Sequence, residues 1–317
     1  MSGARRTRAL AANTVTDSGT VTDARLELPR DARLAVLGSP ISHSKSPAIH
    51  AAAYSVLGLN WQYDRHELVA SELESYLAML GEDYRGLSLT MPLKEEAHRL
   101  ARVLDPIAEQ SGVVNTLFRV AGVGASAAWA GFNTDVGGLA SAISREGLDA
   151  TRTIVFGAGA TAVSAVLAAR SLGAERISVF ARRIEAAAAL AARFDGCAGP
   201  AGTPVPVAAG ELFAPLGGEA TDAAAASDAT LIISTLPGHG IEWQRVPLVG
   251  SAATFDVAYD PWPSPLAELT REAGTPVFSG VGMLIEQALL QIRIFVNGDP
   301  ALPLENEDAL REAMWQC

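Results

Sequence analysis

Only two of the chain's 24 basic residues are lysines, Lys45 and Lys94. Arginine keeps its proton under ordinary conditions, whereas an ammonium can be tuned by burial and can then carry protons. In a chain that writes its cations as arginine, a lysine marks a place where a titratable amine has a use. Lys94 has the better setting. It closes the stretch Gly86-Leu87-Ser88-Leu89-Thr90-Met91-Pro92-Leu93-Lys94, where Leu87 and Leu89 alternate with Ser88 and Thr90 as in a short strand and Pro92 cannot continue the ladder. The pattern puts Lys94 at a strand-to-helix junction, ahead of a helix over 95–102, as a candidate proton carrier. A solvated lysine beside Glu95 and Glu96 is the plain alternative on this stretch alone.

Gly157-x-Gly159-x-x-Ala162 follows the apolar strand 153–156 and opens an Ala-rich helix reaching Leu172. That order is what a pyrophosphate-binding turn needs. Gly157 allows the tight turn, Gly159 lets backbone N–H groups approach an anion, and Ala162 lets the helix pack on the strand. The next strand, 177–180, leads into Ala181-Arg182-Arg183, where an NAD site usually carries an acid for the ribose 2′-hydroxyl. Two guanidinium groups there suit a 2′-phosphate, so NADP is expected, with NAD as the alternative. Glu175 precedes the strand and is poorly placed to supply the missing acid.

Composition narrows the remaining classes. A net charge of −11 without a clustered basic face argues against a nucleic-acid partner. The basic cluster Arg5, Arg6 and Arg8 lies in a stretch with neither periodicity nor an apolar h-region, so residues 1–32 read as a disordered extension and not a signal peptide. No apolar run approaches the roughly 18 residues of a membrane span. Cys197 and Cys317 are far apart, and the five histidines are scattered, with His43 and His50 the nearest pair. No metal is expected, and a reduced, cytoplasmic setting fits.

The frame that must position these residues reads as α/β. Strands over 33–38, 61–68 and 87–90 alternate with helices: one opened by Ser46-Pro47 and closed at Gly58, one opened by a Ser71/Glu74 capping box. Asp105-Pro106 opens a short helix, and strands over 113–120 and 125–130 form a hairpin turning at 122–124. A helix from Asp135 to Gly147 connects to a strict strand-helix alternation with strands over 153–156, 177–180, 204–208, 229–234, 254–257 and 276–278. After Gly280 and Gly282 comes a long amphipathic helix to Val296, then a last helix over 306–315 that should fold back on the first region. The 317 residues and 49% hydrophobic content support two cores. The expected division is a substrate-binding α/β domain over 33–134, completed by helices over 281–317, and a Rossmann-like, doubly wound NADP-binding domain over 135–280.

Five stretches, in order, carry a resemblance. They are Gly38-Ser39-Pro40-Ile41-Ser42-His43-Ser44-Lys45-Ser46-Pro47-Ala48-Ile49-His50, Leu89-Thr90-Met91-Pro92-Leu93-Lys94, Val114-Asn115-Thr116, Asn133-Thr134-Asp135 and Gly280-Val281-Gly282-Met283-x-x-x-Gln287. In these the chain resembles the shikimate dehydrogenase family across nearly its whole ordered length. The resemblance implies that Ser44, Ser46 and Tyr259 bind a substrate carboxylate and that Thr90, Lys94, Asn115, Asp135 and Gln287 surround the ring hydroxyls. For the cofactor it implies Gly157, Ala158, Gly159, Ala160, Thr161, Arg182, Arg183, Thr235, Val257, Gly280 and Met283. Two departures stand out: Ser88 occupies a position where the family commonly has Asn, and Ser234-Thr235-Leu236 replaces a frequent Asn-x-Thr.

Oxidation of a secondary alcohol removes a hydride from carbon and a proton from oxygen, so some group must manage the proton. Lys94 with Asp135 is the expected pair, and which of them is the formal base stays open. Asp135 as a mere cap of the connecting helix, and Ser44 and Ser46 as ordinary helix-start serines, are the plain alternatives. The expected function is the reversible NADPH-linked reduction of 3-dehydroshikimate to shikimate, a step of chorismate and aromatic amino acid biosynthesis. A quinate or aminoshikimate dehydrogenase using NAD is the alternative, and a non-catalytic ligand-binding regulator of the same fold a weaker one. Either a monomer or a homodimer is compatible with the sequence.

Overall fold

Period-two alternation of apolar residues builds the first of two six-stranded sheets in the computed structural model, which describes residues 28–120, 128–213, 228–237, 240–246 and 252–317. Most of the expected N-terminal extension, and the hairpin turn at 122–124, lie outside the described residues. Strands β1 (Asp31–Gly38), β2 (Asn60–Glu67), β3 (Tyr84–Leu89), β4 (Val103–Leu104), β5 (Thr116–Val120) and β6 (Ala128–Phe132) take the order β2-β1-β3-β5-β6-β4. β1 is parallel to β2 and β3, while β5 runs antiparallel to β3 and β6. Leu34 and Val36 pack with Ile49 and Tyr54, with Phe295 of the helix Val281–Asn297, and with Leu310 and Met314 of the helix Glu307–Trp315. Ala35 and Leu37 on the opposite face pack with Leu73, Leu77, Leu93, Ala97 and Ala108. Both faces are therefore covered by helices, as parallel pairing requires.

The second sheet is wholly parallel. β7 (Arg152–Phe156), β8 (Arg176–Ala181), β11 (Val207–Glu211), β12 (Leu231–Ser234), β13 (Ala253–Asp256) and β14 (Val277–Ser279) lie in the order β11-β8-β7-β12-β13-β14. The strand order reverses between β7 and β12, which is where a doubly wound sheet opens a ligand crevice at its carboxyl edge. Among the described residues no helix is long and apolar enough to cross a membrane.

Three local features differ from the sequence expectation. β1 begins at Asp31, where Asn60 Nδ2 donates to Asp31 Oδ1 at 2.6 Å, and not at Arg33. The single strand expected over 204–208 is split: β10 (Pro204–Val205) pairs with β9 (Cys197–Ala198), and only β11 joins the large sheet. Pro206 has no N–H to donate, although its carbonyl still accepts from Ile177 N at 3.0 Å. The second helix is preceded by a 3₁₀ turn, Ala70–Glu72, in which Glu72 Oε2 accepts from Val69 N at 3.2 Å. That bond replaces the Ser71/Glu74 box.

Two helices cross between the sheets, Thr134–Arg145 outward from β6 and Val281–Asn297 back from β14. They approach closely because Gly138 has no side chain: a Cβ there would lie 2.7 Å from Gln287 N and 2.8 Å from its Cα. A mid-helix glycine costs about 1 kcal/mol in propensity. Here it places Gln287 directly over the start of the other crossing helix.

Candidate active site

Four loops meet at one edge of the first sheet. The Ser39–Lys45 loop follows β1, the Thr90-to-Lys94 turn follows β3, Asn115 precedes the antiparallel β5, and Asp135 follows β6. Gly38 brings the first two together, since a Cβ on it would fall 2.3 Å from Thr90 Cγ2. Ser39 N donates to Met91 O at 3.0 Å, and Thr90 N donates to Leu37 O at 2.9 Å.

Lys94 begins the helix Lys94–Leu100, held by the fully buried Leu93 and by Val114 N donating to Lys94 O at 2.9 Å. Its Nζ donates to Asp135 Oδ2 at 2.5 Å, with the two side chains 11% and 5% exposed. Asp135 is not the cap of its helix. Asn133 takes that role by accepting from Asp135 N at 3.1 Å, which leaves both carboxylate oxygens for other partners. Asp135 Oδ1 accepts from Asn115 Nδ2 at 2.8 Å, and the same amide donates to Gln287 Oε1 at 3.0 Å. Lys94, Asp135, Asn115 and Gln287, predicted from separate motifs, thus form one cluster. Charged pairs this short and shielded are among the stronger hydrogen bonds in proteins.

Ser44 and Ser46 stand where the helix Ser46–Val56 begins. Ser44 Oγ accepts from Ser46 N at 3.3 Å in the turn ahead of the helix, whose N-cap is Lys45 without a capping side chain, so the cap expected at Ser46 is not formed. Arg65 Nη1 steadies this loop by donating to Ser42 O at 2.6 Å. Tyr259 lies on the other sheet's edge, just after β13. Its phenol is pushed up by burial and by the charge of Asp260. Asp256 pins that segment: its Oδ1 accepts from Ala258 N at 3.2 Å and its Oδ2 from Ser264 Oγ at 2.5 Å.

The remaining predicted residues line the carboxyl edge of the parallel sheet. Gly157, after β7, has φ +115, and a Cβ there would lie 2.2 Å from Thr235 Oγ1, which itself donates to Phe156 O at 2.8 Å. Only glycine fits that combination of left-handed backbone and close neighbour. Gly159 is the N-cap of the helix Ala160–Ser171, with no capping side chain and open space where its Cβ would be. Ala158, Ala160 and Thr161 continue the turn into the first helical residues, whose unclaimed N–H groups suit a pyrophosphate. Arg182 and Arg183 are exposed beyond β8, and Arg182 Nη1 donates to Gly240 O at 3.3 Å. Val257 and Gly280 close the edge, for a Cβ on Gly280 would lie 2.0 Å from Val257 O. The turn, helix start and paired arginines fit a dinucleotide with a 2′-phosphate.

One helix joins the two edges. Met283 sits at the sheet-edge start of Val281–Asn297, and Gln287, one turn on and about 6 Å along the axis, reaches Asn115. The next turn brings a residue that sequence reasoning passed over. Gln291 Nε2 donates to Thr116 Oγ1 at 3.1 Å, and its Oε1 accepts from Ser88 Oγ at 2.9 Å. Ser88 also accepts from Tyr63 Oη at 2.6 Å, so its hydroxyl is committed inside the fold. The available signal was a glutamine among Ala288, Leu289, Ile292 and Phe295, on the buried side of an amphipathic helix.

Known proteins match this architecture. Residues 36–117 match the family described as the shikimate dehydrogenase substrate binding domain. A shikimate dehydrogenase (NADP(+)) of Anaeromyxobacter sp. (strain Fw109-5) is 34% identical, with 84% of this chain and 91% of the relative covered. Another of that name, from Methanosarcina mazei, is 31% identical over 87% and 96% of the two chains. The crystal structure of Mycobacterium tuberculosis shikimate dehydrogenase superposes with a TM-score of 0.74 at 34% identity, covering 90% of this chain and all of that one. The Thermus thermophilus shikimate 5-dehydrogenase, solved with NADP(H) and shikimate, gives 0.70 at 29% identity, over 90% and 99% of the chains.

Proposed function

The chain belongs to the shikimate dehydrogenase family, and from that premise we propose that it interconverts 3-dehydroshikimate and shikimate with NADP as hydride partner, the Lys94–Asp135 pair handling the proton. The carrying observation is the buried 2.5 Å contact between Lys94 and Asp135, on the same cluster as Gln287, one helical turn from Met283 at the dinucleotide edge. A cyclic alcohol bound there would lie beside both the proton carrier and the crevice of the parallel sheet.

When bound, NADP supplies the hydride acceptor of the oxidation direction. The chain's own residues do the rest. Lys94 faces the reacting oxygen and moves its proton; Asp135 and Asn115 hold Lys94 in place; Gln287 keeps one amide face free for a second hydroxyl. Ser44, Ser46 and Tyr259 offer hydroxyl donors to the carboxylate, and Thr90 offers another to the ring. Gly157 to Thr161 hold the pyrophosphate, Arg182 and Arg183 the 2′-phosphate, and Thr235, Val257, Gly280 and Met283 border the nicotinamide. Residues 33–134 with 281–317 form the substrate-binding domain and 135–280 the dinucleotide domain, an arrangement supported by Leu310 and Met314 packing on Ile49 and Tyr54. The protein works in the cytoplasm on small molecules.

The test is a spectrophotometric panel of shikimate, quinate and aminoshikimate against NADP and NAD. Shikimate with NADP is expected to give the highest kcat/KM by at least about tenfold. Faster turnover of quinate or aminoshikimate with NAD would move the chain to that neighbouring activity, and no turnover of any pair would leave a binding protein.

A further inference from the structure

Hydrogen positions in the polar cluster behind Asn115 follow from groups that cannot flip. Thr134 N is a backbone donor 2.9 Å from Asn115 Oδ1, and Asp135 Oδ1 is an acceptor 2.8 Å from Asn115 Nδ2, so the Asn115 amide has one orientation. Gln291 Nε2 lies 3.5 Å from the Asn115 carbonyl, which only accepts, so Gln291 Oε1 must be the atom facing Ser88 and His50. His50 Nε2, 3.2 Å from that oxygen, is then a donor, and neutral His50 takes the Tyr54 hydroxyl on Nδ1 at 3.1 Å. Burial keeps the ring neutral by pushing it down to about 3. Since Thr116 Oγ1 accepts from Gln291, its own hydrogen goes to Asn115 Oδ1 at 2.8 Å.

Along the run from the tyrosines to Asp135 the donors point the same way, while Thr134 N and Oγ1 also donate to Asn115 Oδ1 from the side. Tyr54 gives to His50, Tyr63 to Ser88, and both His50 and Ser88 to Gln291; Gln291 gives to Thr116, Thr116 to Asn115, and Asn115 to Asp135 and Gln287. Hydrogen bonds in series polarise one another, and this run ends on the carboxylate that holds Lys94. His50, Ser88, Asn115, Thr116 and Gln291 are all buried, so no water substitutes for a missing member without a cavity opening.

We propose that Gln291 and Thr116 are positioning residues, which hold the Asn115 amide with its NH₂ toward Asp135 and Gln287 and thereby keep Asp135 aligned on Lys94. The inference rests on the reading that Lys94 and Asp135 handle the proton. It gives Ser88 a role: its hydroxyl accepts from Tyr63 and donates to Gln291 through one atom.

Steady-state kinetics of Thr116→Val and Thr116→Ser, with melting curves, test it. Valine keeps shape and strand preference but cannot relay; serine restores the relay. Thr116→Val is expected to lower kcat about ten- to a hundredfold while KM stays within about threefold, and Thr116→Ser to recover most of the loss. Wild-type turnover in Thr116→Val overturns the proposal, as does an equal kcat loss in both variants that follows their melting temperatures. Should Thr116→Val not fold, Gln291→Met carries the same expectation for kcat and KM, and its full activity is equally fatal. Lys94→Ala measured alongside separates the two readings: an active Lys94→Ala removes the proton role itself, whereas an inactive Lys94→Ala beside a fully active Thr116→Val removes only the relay.

Discussion

On the Lys94 side, side chains meet side chains: Asn115 alone joins Thr116, Thr134, Asp135 and Gln287 through its amide. Along the dinucleotide edge, the backbone does the work, through a left-handed turn at Gly157, an uncapped helix start at Gly159 and a close approach at Gly280. The first edge is preorganised, with Lys94, Asp135 and Asn115 already bonded to one another through their side chains. The second is open, with donors waiting for an anion. A reaction that must orient one proton within tenths of an ångström needs the former, and a cofactor that enters and leaves on each turnover needs the latter.

The sharpest way to break this contrast is to remove the amine. Lys94→Ala is expected to cut turnover by about two orders of magnitude or more, with the shikimate dissociation constant within a few fold. Stopped-flow or steady-state rates beside equilibrium binding check it. A substrate affinity that collapses together with rate would make Lys94 a binding residue, and the preorganised edge would be a recognition site first.

The contrast also accounts for what could be read from the chain. The dinucleotide edge was legible locally, because Gly157, Gly159 and Ala162 obey backbone constraints within six consecutive positions. The same locality located the helix start at Asp105-Pro106, where Asp105 accepts from Ala108 N at 2.8 Å. Lys94 stood out by the scarcity of lysine, but Lys94, Asp135 and Gln287 lie on three different helices and Asn115 in a loop, and only the family's motifs brought the four together. Gln291, Thr116 and the inward commitment of Ser88 escaped, since each becomes meaningful only once β3, β5 and the return helix are packed together. The split at Pro206 and the Val69/Glu72 bond were missed for a smaller reason. Each depends on a single N–H, which patterns several residues wide do not resolve.

On the open edge, Arg182→Ala sharpens the comparison. Arg182 is exposed and, among the described residues, its side chain makes only the bond to Gly240 O at 3.3 Å, so its removal should leave folding intact. NADP binding is expected to weaken about ten- to a hundredfold, the worth of a charge-assisted bond, while NAD binding stays nearly unchanged. Titration of both dinucleotides against wild type and variant checks it. Equal losses for the two would place the 2′-phosphate elsewhere, and the preference would then rest on Arg183.

The smallest expected effect lies at the far end of the preorganised edge, in His50. Folded, the ring stays neutral down to about 3, because burial penalises its charge; unfolded, it takes a proton near 6.5. Between those values the unfolded chain binds more protons, so acid favours unfolding, and the penalty grows as pH falls from 6.5 towards 3 while vanishing above 6.5. At about pH 5 the loss is about 2 kcal/mol, worth roughly 4 °C in melting temperature. His50→Gln offers no group that titrates in this range, so melting curves of wild type and variant at about pH 7 and about pH 5 isolate the contribution. Asp105 and Asp256, whose carboxyls burial pushes up, titrate in the opposite sense but are common to both proteins and cancel in the difference. The variant should start less stable at neutral pH and lose less on acidification. If the two proteins lose the same amount, His50 is protonated in the fold, its Nδ1 no longer accepts from Tyr54, and the donor run that ends at Asp135 would have to begin at Tyr63 alone.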